Sequence, residues 1–367
     1  MCTPKRNSFI LREQREVDSE LDGVEKSLVQ LEDLSVTYLR DSVRNKAVDS
    51  VNLTLYRGEL VALVGESGSG KSTLALAIMH LLPQNSRTEG KVLYGDVDLE
   101  NLDEEGLRDY RGNVIGIIFQ EPMNSLIPTV RIWKQMAEAI EVGKKRQDRK
   151  KGIANSFSAF VRRRLPSLQD NGGSTSKEES VQWLRRVGIA DAANVAERYP
   201  FELSGGMAQR VMIAMALSQA PALLLADEPT TALDVTTQAQ ILRLMNELMK
   251  QVNTTILLIT HDMGLAAQVS DRVVVMYSGT VVEEAGTNEL FLAPLHPYTQ
   301  SLLKAIPTGH KSETKLGTRA STTVTKPLTG GCKFADRCPY VMDRCNKEIP
   351  QYYRKTEQHY VKCFLYE

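Results

Sequence analysis

The stretch Gly65-Glu66-Ser67-Gly68-Ser69-Gly70-Lys71-Ser72-Thr73 constrains this chain more than any other. An apolar run, Leu60-Val61-Ala62-Leu63-Val64, leads into it and reads as a buried strand. A second run, Thr73-Leu74-Ala75-Leu76-Ala77-Ile78-Met79, leaves it and reads as a helix. The glycines free the backbone to curl its N–H groups around an anion, and the helix start adds the positive end of its dipole. Lys71 is spaced to reach the β- and γ-phosphates of a nucleotide, and the Ser72 hydroxyl to ligate Mg²⁺. A strand, loop and helix in this order belong to an α/β fold, with a parallel sheet covered by helices.

Five further segments have the composition of a nucleotide site. Leu203-Ser204-Gly205-Gly206-Met207-Ala208-Gln209-Arg210 precedes an apolar helix from Val211 to Ser218, stopped before Pro221. Ser204 suits an N-cap, and the pattern reads as an ordinary capped turn or as a second anion-binding helix start. Leu223-Leu224-Leu225-Ala226 is a continuous apolar strand ending in Asp227-Glu228, either a solvated edge or a metal ligand beside a base. Ile256-Leu257-Leu258-Ile259-Thr260 is another strand, with His261 at its end, 34 residues beyond Asp227. Ile115-Gly116-Ile117-Ile118-Phe119 precedes Gln120. Tyr38 lies in the early strand Leu34-Ser35-Val36-Thr37-Tyr38, where an aromatic ring serves a core or stacks on a base.

The set resembles the motifs of ATP-binding cassette (ABC) ATPases. That resemblance implies a signature at Ser204, Gly205, Gly206 and Gln209 that closes over ATP held by the phosphate loop of a second subunit. It implies that Asp227 holds Mg²⁺ and that Glu228 orients or deprotonates the attacking water. Gln120 matches the family's Q-loop, which senses Mg²⁺ and that water, and His261 the switch histidine. Thr231-Ala232-Leu233-Asp234 resembles the D-loop that links the two sites of a dimer. Tyr38 is placed to stack on adenine.

Size and charge narrow the class. A chain of 367 residues holds one large α/β domain and a smaller addition. Lys+Arg and Asp+Glu both total 45, so global charge does not favour nucleic acid as a partner. No apolar run approaches the roughly 20 residues that span a bilayer, and the first 30 residues lack a signal-peptide core. The expected location is the cytoplasmic face of the cell membrane, reached by docking to membrane subunits.

Three regions are expected. Residues 1–28 form a polar extension. Residues 29–293 form the nucleotide-binding domain, and residues 294–367 a C-terminal extension. Leu31–Tyr38 and Ala47–Leu55 alternate, which predicts an antiparallel β region beside the nucleotide. Thr236–Gln251 carries apolar residues at helical spacing and predicts a core-facing helix. An insertion at 144–180 is basic at first. Lys144 to Arg164 holds nine Lys/Arg and one acid, Asp148, then a Gly/Ser/Asn-rich linker follows. It lies in the helical signature subdomain that the resemblance implies, and reads as a solvated insertion or as a contact with lipid headgroups or a membrane subunit.

Four of the five cysteines fall in the last 36 residues, as Cys332-x5-Cys338-x6-Cys345-x17-Cys363. Clustered thiols in a cytosolic protein suit a metal site better than disulfides, although the usual C-x₂-C zinc knuckle is missing, and taken alone the four read equally as a metal site or as unrelated thiols. With His296-Pro297-Tyr298-Thr299, Gly331-Cys332, Arg337-Cys338-Pro339 and Glu121-Pro122-Met123-Asn124-Ser125-Leu126, they resemble the ATPases of oligopeptide/dipeptide importers, a subfamily that also serves nickel. Members of it can bind a [4Fe–4S] cluster through such cysteines. Zn²⁺ is the alternative. A structural role is expected, because the cysteines lie far along the chain from every phosphate-binding motif.

The expected function is ATP hydrolysis in a head-to-tail dimer, coupled to uptake of peptides or a related small solute. The implied partners are a second ATPase subunit, two transmembrane permease subunits and an extracytoplasmic solute-binding protein. The rival is a soluble ABC ATPase acting on DNA or the ribosome. Such proteins usually carry two cassettes or a long coiled-coil insertion, and this sequence has neither.

Overall fold

A computed structural model describes residues 27–40, 43–151, 175–230, 235–252, 254–306 and 330–367. The extension expected before residue 27, most of the basic insertion, Asp234 and the Ser/Thr/Lys-rich stretch at 308–325 lie outside these residues. The strands are β1 (Ser27–Arg40), β2 (Val43–Tyr56), β3 (Leu60–Val64), β4 (Ser86–Tyr94), β5 (Val97–Asp98), β6 (Ile115–Ile118), β7 (Leu223–Asp227), β8 (Thr255–Thr260), β9 (Arg272–Tyr277), β10 (Thr280–Gly286), β11 (Tyr353–Arg354) and β12 (Tyr360–Val361).

Two sheets form. The smaller runs β2-β1-β4-β5, all antiparallel, where alternating apolar residues predict it. The larger runs β11-β12-β10-β9-β3-β8-β7-β6. Its β9-β3-β8-β7-β6 part is parallel. In β3, β7 and β8 nearly every residue is buried, as continuous apolar runs require when helices cover both faces of a sheet. One apolar cluster joins the small sheet to the inner faces of β3, β7 and β8, through residues such as Leu34, Leu63, Leu74, Leu225 and Ile259. A second lies under the helices Ile132–Lys151, Ser176–Arg186 and Gly205–Ser218, with Met136, Trp183, Leu184 and Val211 at its centre. The predicted helix after the Asp227 strand spans Val235–Val252.

The C-terminal extension completes the cassette rather than hanging from it. β12 pairs with β10, and β11 with β12, so the extension lengthens the main sheet. Tyr298 and Phe334 enter a third apolar cluster with Val64, Val273 and Val275. His296-Pro297-Tyr298 starts the helix Pro297–Lys304. Pro297 takes a first-turn position where its missing N–H costs nothing, and His296 Nδ1 accepts the Tyr298 N–H at 3.1 Å. Burial lowers the His296 pKa to about 4, against the pull of Glu283, so the ring stays neutral and able to accept.

Glu283 in β10 is the polar anchor of this region. Fully buried, it accepts the backbone N–H of Leu295 at 2.7 Å and of His296 at 2.9 Å, and meets His359 Nε2 at 2.8 Å. His359 Nδ1 faces Glu289 at 3.3 Å. Burial opposes charge on His359, but Glu283 and Glu289 prevail and raise its pKa above 6.5. With the folded value raised, this stabilisation is complete below the unfolded value of 6.5 and is lost as pH climbs through the folded one. Unfolding of the full chain should therefore weaken in free energy as pH rises above 6.5, and His359→Gln should flatten that slope. Glu283→Ala, which strands two buried N–H groups, should cost about 3 kcal/mol in denaturant unfolding. Identical pH profiles for wild type and His359→Gln would contradict this reading.

Candidate functional site

Parallel register sets the site. β3, β8, β7 and β6 lie side by side, and their carboxyl ends deliver Gly65, His261, Asp227-Glu228 and Gln120 to one edge of the sheet. That edge is where open α/β sheets place ligands.

The loop 65–70 after β3 turns sharply. Gly70 has φ +99°, and a Cβ there would stand 2.3 Å from the Ala47 carbonyl oxygen. A Cβ on Gly65 would stand 2.2 Å from that of Met276. Only glycine lets the loop pass so close to β2 and β9. The helix Lys71–Ile78 follows without a side-chain cap, so its first N–H groups are left for an anion. Lys71 is buried, and its Nζ donates to the carbonyls of Gly65 and Glu66, both at 2.9 Å, and to Ser69 Oγ at 3.3 Å. Burial lowers its pKa, opposed by the carboxylates of Glu228, Asp227 and Glu66. Ser67 and Gly68 sit exposed at the tip of the loop.

Ser72 Oγ donates to Asp227 Oδ1 at 3.1 Å, which brings the two expected Mg²⁺ ligands together. Burial raises the Asp227 pKa, opposed by the Ser72 hydrogen bond and supported by Glu228. A cation there would offset the cost of a buried carboxylate, so the pair fits Mg²⁺.

Glu228 is held from both sides. Its Oε1 meets His261 Nδ1 at 3.1 Å, and its Oε2 accepts from Gln120 Nε2 at 3.2 Å. Its backbone φ is +45°, a left-handed conformation that disfavours any side chain larger than glycine. The Glu228 N–H is tied to the Ile259 carbonyl of β8 at 2.9 Å, which fixes this turn. Such strain concentrates where a side chain must be aimed. It is invisible in the sequence, since Glu228 reads as an ordinary strand-end acid.

The remaining predicted residues are placed unequally. Tyr38 OH donates to Thr73 Oγ1 at 3.3 Å, so it stands beside the start of the loop's helix with its ring half-buried. Ser204 caps the helix Gly205–Ser218 by accepting the Met207 N–H at 3.3 Å, and Ser204 and Gly205 are exposed. Gln209 differs from the expectation that it contacts nucleotide. It is 1% exposed, on the inward face of that helix, and its Nε2 has no hydrogen-bond partner among the described residues.

The four tail cysteines line one small pocket, together with Phe334, Ala335, Pro350 and Phe364. The Cys332 N–H donates to the Cys345 carbonyl at 2.7 Å. Gly331 permits this approach, since a Cβ there would lie 2.6 Å from that same oxygen. Burial raises the thiol pKa of Cys332 and Cys338, and pushes Cys363 to about 11. No three His, Cys, Asp or Glu among the described residues are arranged to hold a single metal ion.

Sequence reasoning missed two residues that reach the loop from this extension. Arg337 Nη1 and Nη2 donate to the two carboxylate oxygens of Glu66, each at 2.9 Å. Tyr298 OH accepts the Glu66 N–H at 2.9 Å. The cysteines lie far along the chain from the phosphate motifs, yet Arg337, next to Cys338, touches the phosphate loop. Separation in sequence gave no signal of this.

Known proteins match this architecture. The "ABC transporter" family model matches residues 48–231, and the "Oligopeptide/dipeptide transporter, C-terminal region" model matches residues 282–345. The oligopeptide transport ATP-binding protein AppD of Bacillus subtilis is 42% identical over 347 residues, covering 93% of this chain and 97% of that protein. The dipeptide transport ATP-binding protein DppD of Escherichia coli is 39% identical, covering 92% and 96%. A dimeric ATP-binding cassette, MJ0796, solved in a post-hydrolysis state with ADP and Pi, superposes with a TM-score of 0.54 at 28% identity, covering 71% of this chain and 98% of that one. The motifs, the strand-end site and the C-terminal region agree: this chain belongs to the ATP-binding subunits of oligopeptide/dipeptide ABC transporters.

Proposed function

We propose that this chain hydrolyses ATP at the edge formed by β3, β8, β7 and β6, and thereby drives a peptide importer. The observation that carries the reading is the convergence of Lys71, Ser72–Asp227 and Gln120–Glu228–His261 at that edge. Lys71 would leave its loop carbonyls for the β- and γ-phosphates. Ser72, Asp227 and Gln120 would hold Mg²⁺, which supplies charge neutralisation when bound. Glu228 accepts the proton of the attacking water, and His261 and Gln120 keep its two oxygens aimed. Tyr38 offers a ring for the base. The relatives are named for oligopeptide and dipeptide transport, and none of those named points to DNA or the ribosome.

Ser204 and Gly205, exposed, and the half-buried Gly206 form a helix start that a second ATPase subunit would receive. This supports a head-to-tail dimer, with Asp234 near its junction and two permease subunits on the helical subdomain. Among the described residues no helix is long and apolar enough to cross a membrane, so permeases would supply the membrane path at its cytoplasmic face. An extracytoplasmic binding protein would deliver the solute. Lys144, the first residue of the basic insertion, pairs with Glu179 at 2.6 Å, and contact of the insertion with lipid headgroups or a membrane subunit belongs to the same proposal.

Glu228→Gln keeps shape and hydrogen bonding but removes the base. Turnover by the assembled complex should fall about 100-fold or more while ATP still binds. Wild-type turnover in that variant would remove Glu228 from the chemistry.

The cysteines are proposed to hold a [4Fe–4S] cluster. Four thiols around one cavity suit a cluster in which each takes one iron, whereas zinc needs four sulfurs about 2.3 Å from a single point. The cavity has room for about one water molecule, so a cluster would spread the Cys332 and Cys363 segments. Ligation requires thiolates, so it would also reverse the raised thiol pKa values. Anaerobically purified protein should be brown, with about four iron and four sulfide per chain, and Cys345→Ser should lose both. Stoichiometric zinc without sulfide would assign the site to zinc instead.

A further inference from the structure

Glu66 is held by two groups that the ATPase motifs do not include. Its backbone N–H is bound by Tyr298 OH, and its carboxylate by both arms of Arg337. Its carbonyl takes the third tie, from Lys71 Nζ at 2.9 Å. Residue 66 is therefore fixed at N–H, C=O and carboxylate, and two of these ties come from the C-terminal extension.

The holders are themselves rigid. Tyr298 is fully buried, with ring centroids of Tyr277 at 4.6 Å and Phe334 at 5.5 Å. The Arg337 guanidinium lies 5.8 Å from each of the Tyr277 and Phe334 ring centroids. Its backbone closes a tight turn, with the Arg337 N–H on Phe334 O at 3.0 Å and the Cys338 N–H on Ala335 O at 3.2 Å. A two-pronged arginine–carboxylate pair fixes orientation as well as charge, and a lysine would not replace it.

We infer that Arg337 and Tyr298 are positioning residues for the phosphate-binding loop, holding Glu66 so that the loop accepts the triphosphate of ATP. Two physical effects follow from the contacts. Bracing residue 66 through its N–H and carboxylate holds the course of the loop, so that less backbone freedom is lost when the loop closes on the phosphates. Pairing with Arg337 also neutralises a carboxylate on the loop that would otherwise repel the phosphates. Both effects act on binding, not on the Glu228 chemistry, so they belong in the affinity for ATP.

The inference rests on the reading of residues 65–73 as the ATP loop, and one control separates the two. ATP affinity is measured on the purified full chain by fluorescent-nucleotide displacement, and KM and kcat on the assembled transporter, for wild type, Lys71→Ala, Arg337→Ala, Arg337→Lys, Tyr298→Phe, Glu66→Gln and Arg337→Ala/Glu66→Gln. Lys71→Ala should abolish binding; if it does not, the loop reading itself fails. Arg337→Ala should weaken ATP about fivefold and raise KM alike, with kcat at saturating ATP unchanged. Arg337→Lys should fall between, and it carries the same test should Arg337→Ala not fold. Tyr298→Phe should weaken ATP in the same direction with less effect. In the double variant the loss should be smaller than in Arg337→Ala alone, because the unpaired carboxylate is gone. With Lys71→Ala inactive, a change of less than twofold in both Arg337 variants overturns the inference. So does a loss of kcat at constant KM, or a double variant in which the two effects simply add.

Discussion

Register in the parallel sheet is the constraint on which everything else depends. β3 pairs with β8 from Leu60↔Ile256 to Val64↔Thr260, and β7 with β8 from Leu223↔Thr255 to Asp227↔Ile259. A slip by one residue would send each strand-end side chain to the opposite face. Glu228 would then lose His261 and Gln120, and Asp227 would lose Ser72. Continuous apolar runs make the register strict, since β3 and β8 are buried on both faces. The chemistry is carried by loops, but its accuracy is set by those buried strands.

The C-terminal extension has a place in that logic. It lengthens the same sheet through β12, puts Phe334 and Tyr298 into the apolar layer behind β3 and β9, and reaches the phosphate loop from there. Glu283 ties β10 to the start of the helix Pro297–Lys304 and to His359. The His-Pro-Tyr sequence thus has a physical meaning at each residue. His296 is a neutral cap, Pro297 sits in the first turn, and Tyr298 presents its hydroxyl to the Glu66 N–H.

Much of this was legible in the sequence because the signals were local. Gly65 to Thr73 encodes a loop whose backbone geometry needs glycine at fixed places, and the apolar runs before Asp227 and His261 encode buried parallel strands. The alternation in Leu31–Tyr38 marked the antiparallel sheet. Long-range features left no comparable trace. Arg337 looks like any surface arginine beside a cysteine, and its pairing with Glu66 spans 271 residues. The strain at Glu228 depends on how its turn is tied to β8. Gln209 carries its expectation from its place in a motif, whereas packing buries it on the inward side of the helix that Ser204 caps.

The central claim is that ATP is bound at the β3–β8–β7–β6 edge and completed by the signature helix of a second subunit. A cryo-EM map of the assembled Glu228→Gln complex with Mg²⁺ and ATP tests it most directly. The account predicts the γ-phosphate between Lys71, the Ser72–Asp227 pair and residue 228, with Ser204 to Gly206 of the opposing subunit against it where that subunit is a second copy, or its equivalent helix start where it is not. Nucleotide bound elsewhere, or at this edge with no signature helix facing it, would contradict the account.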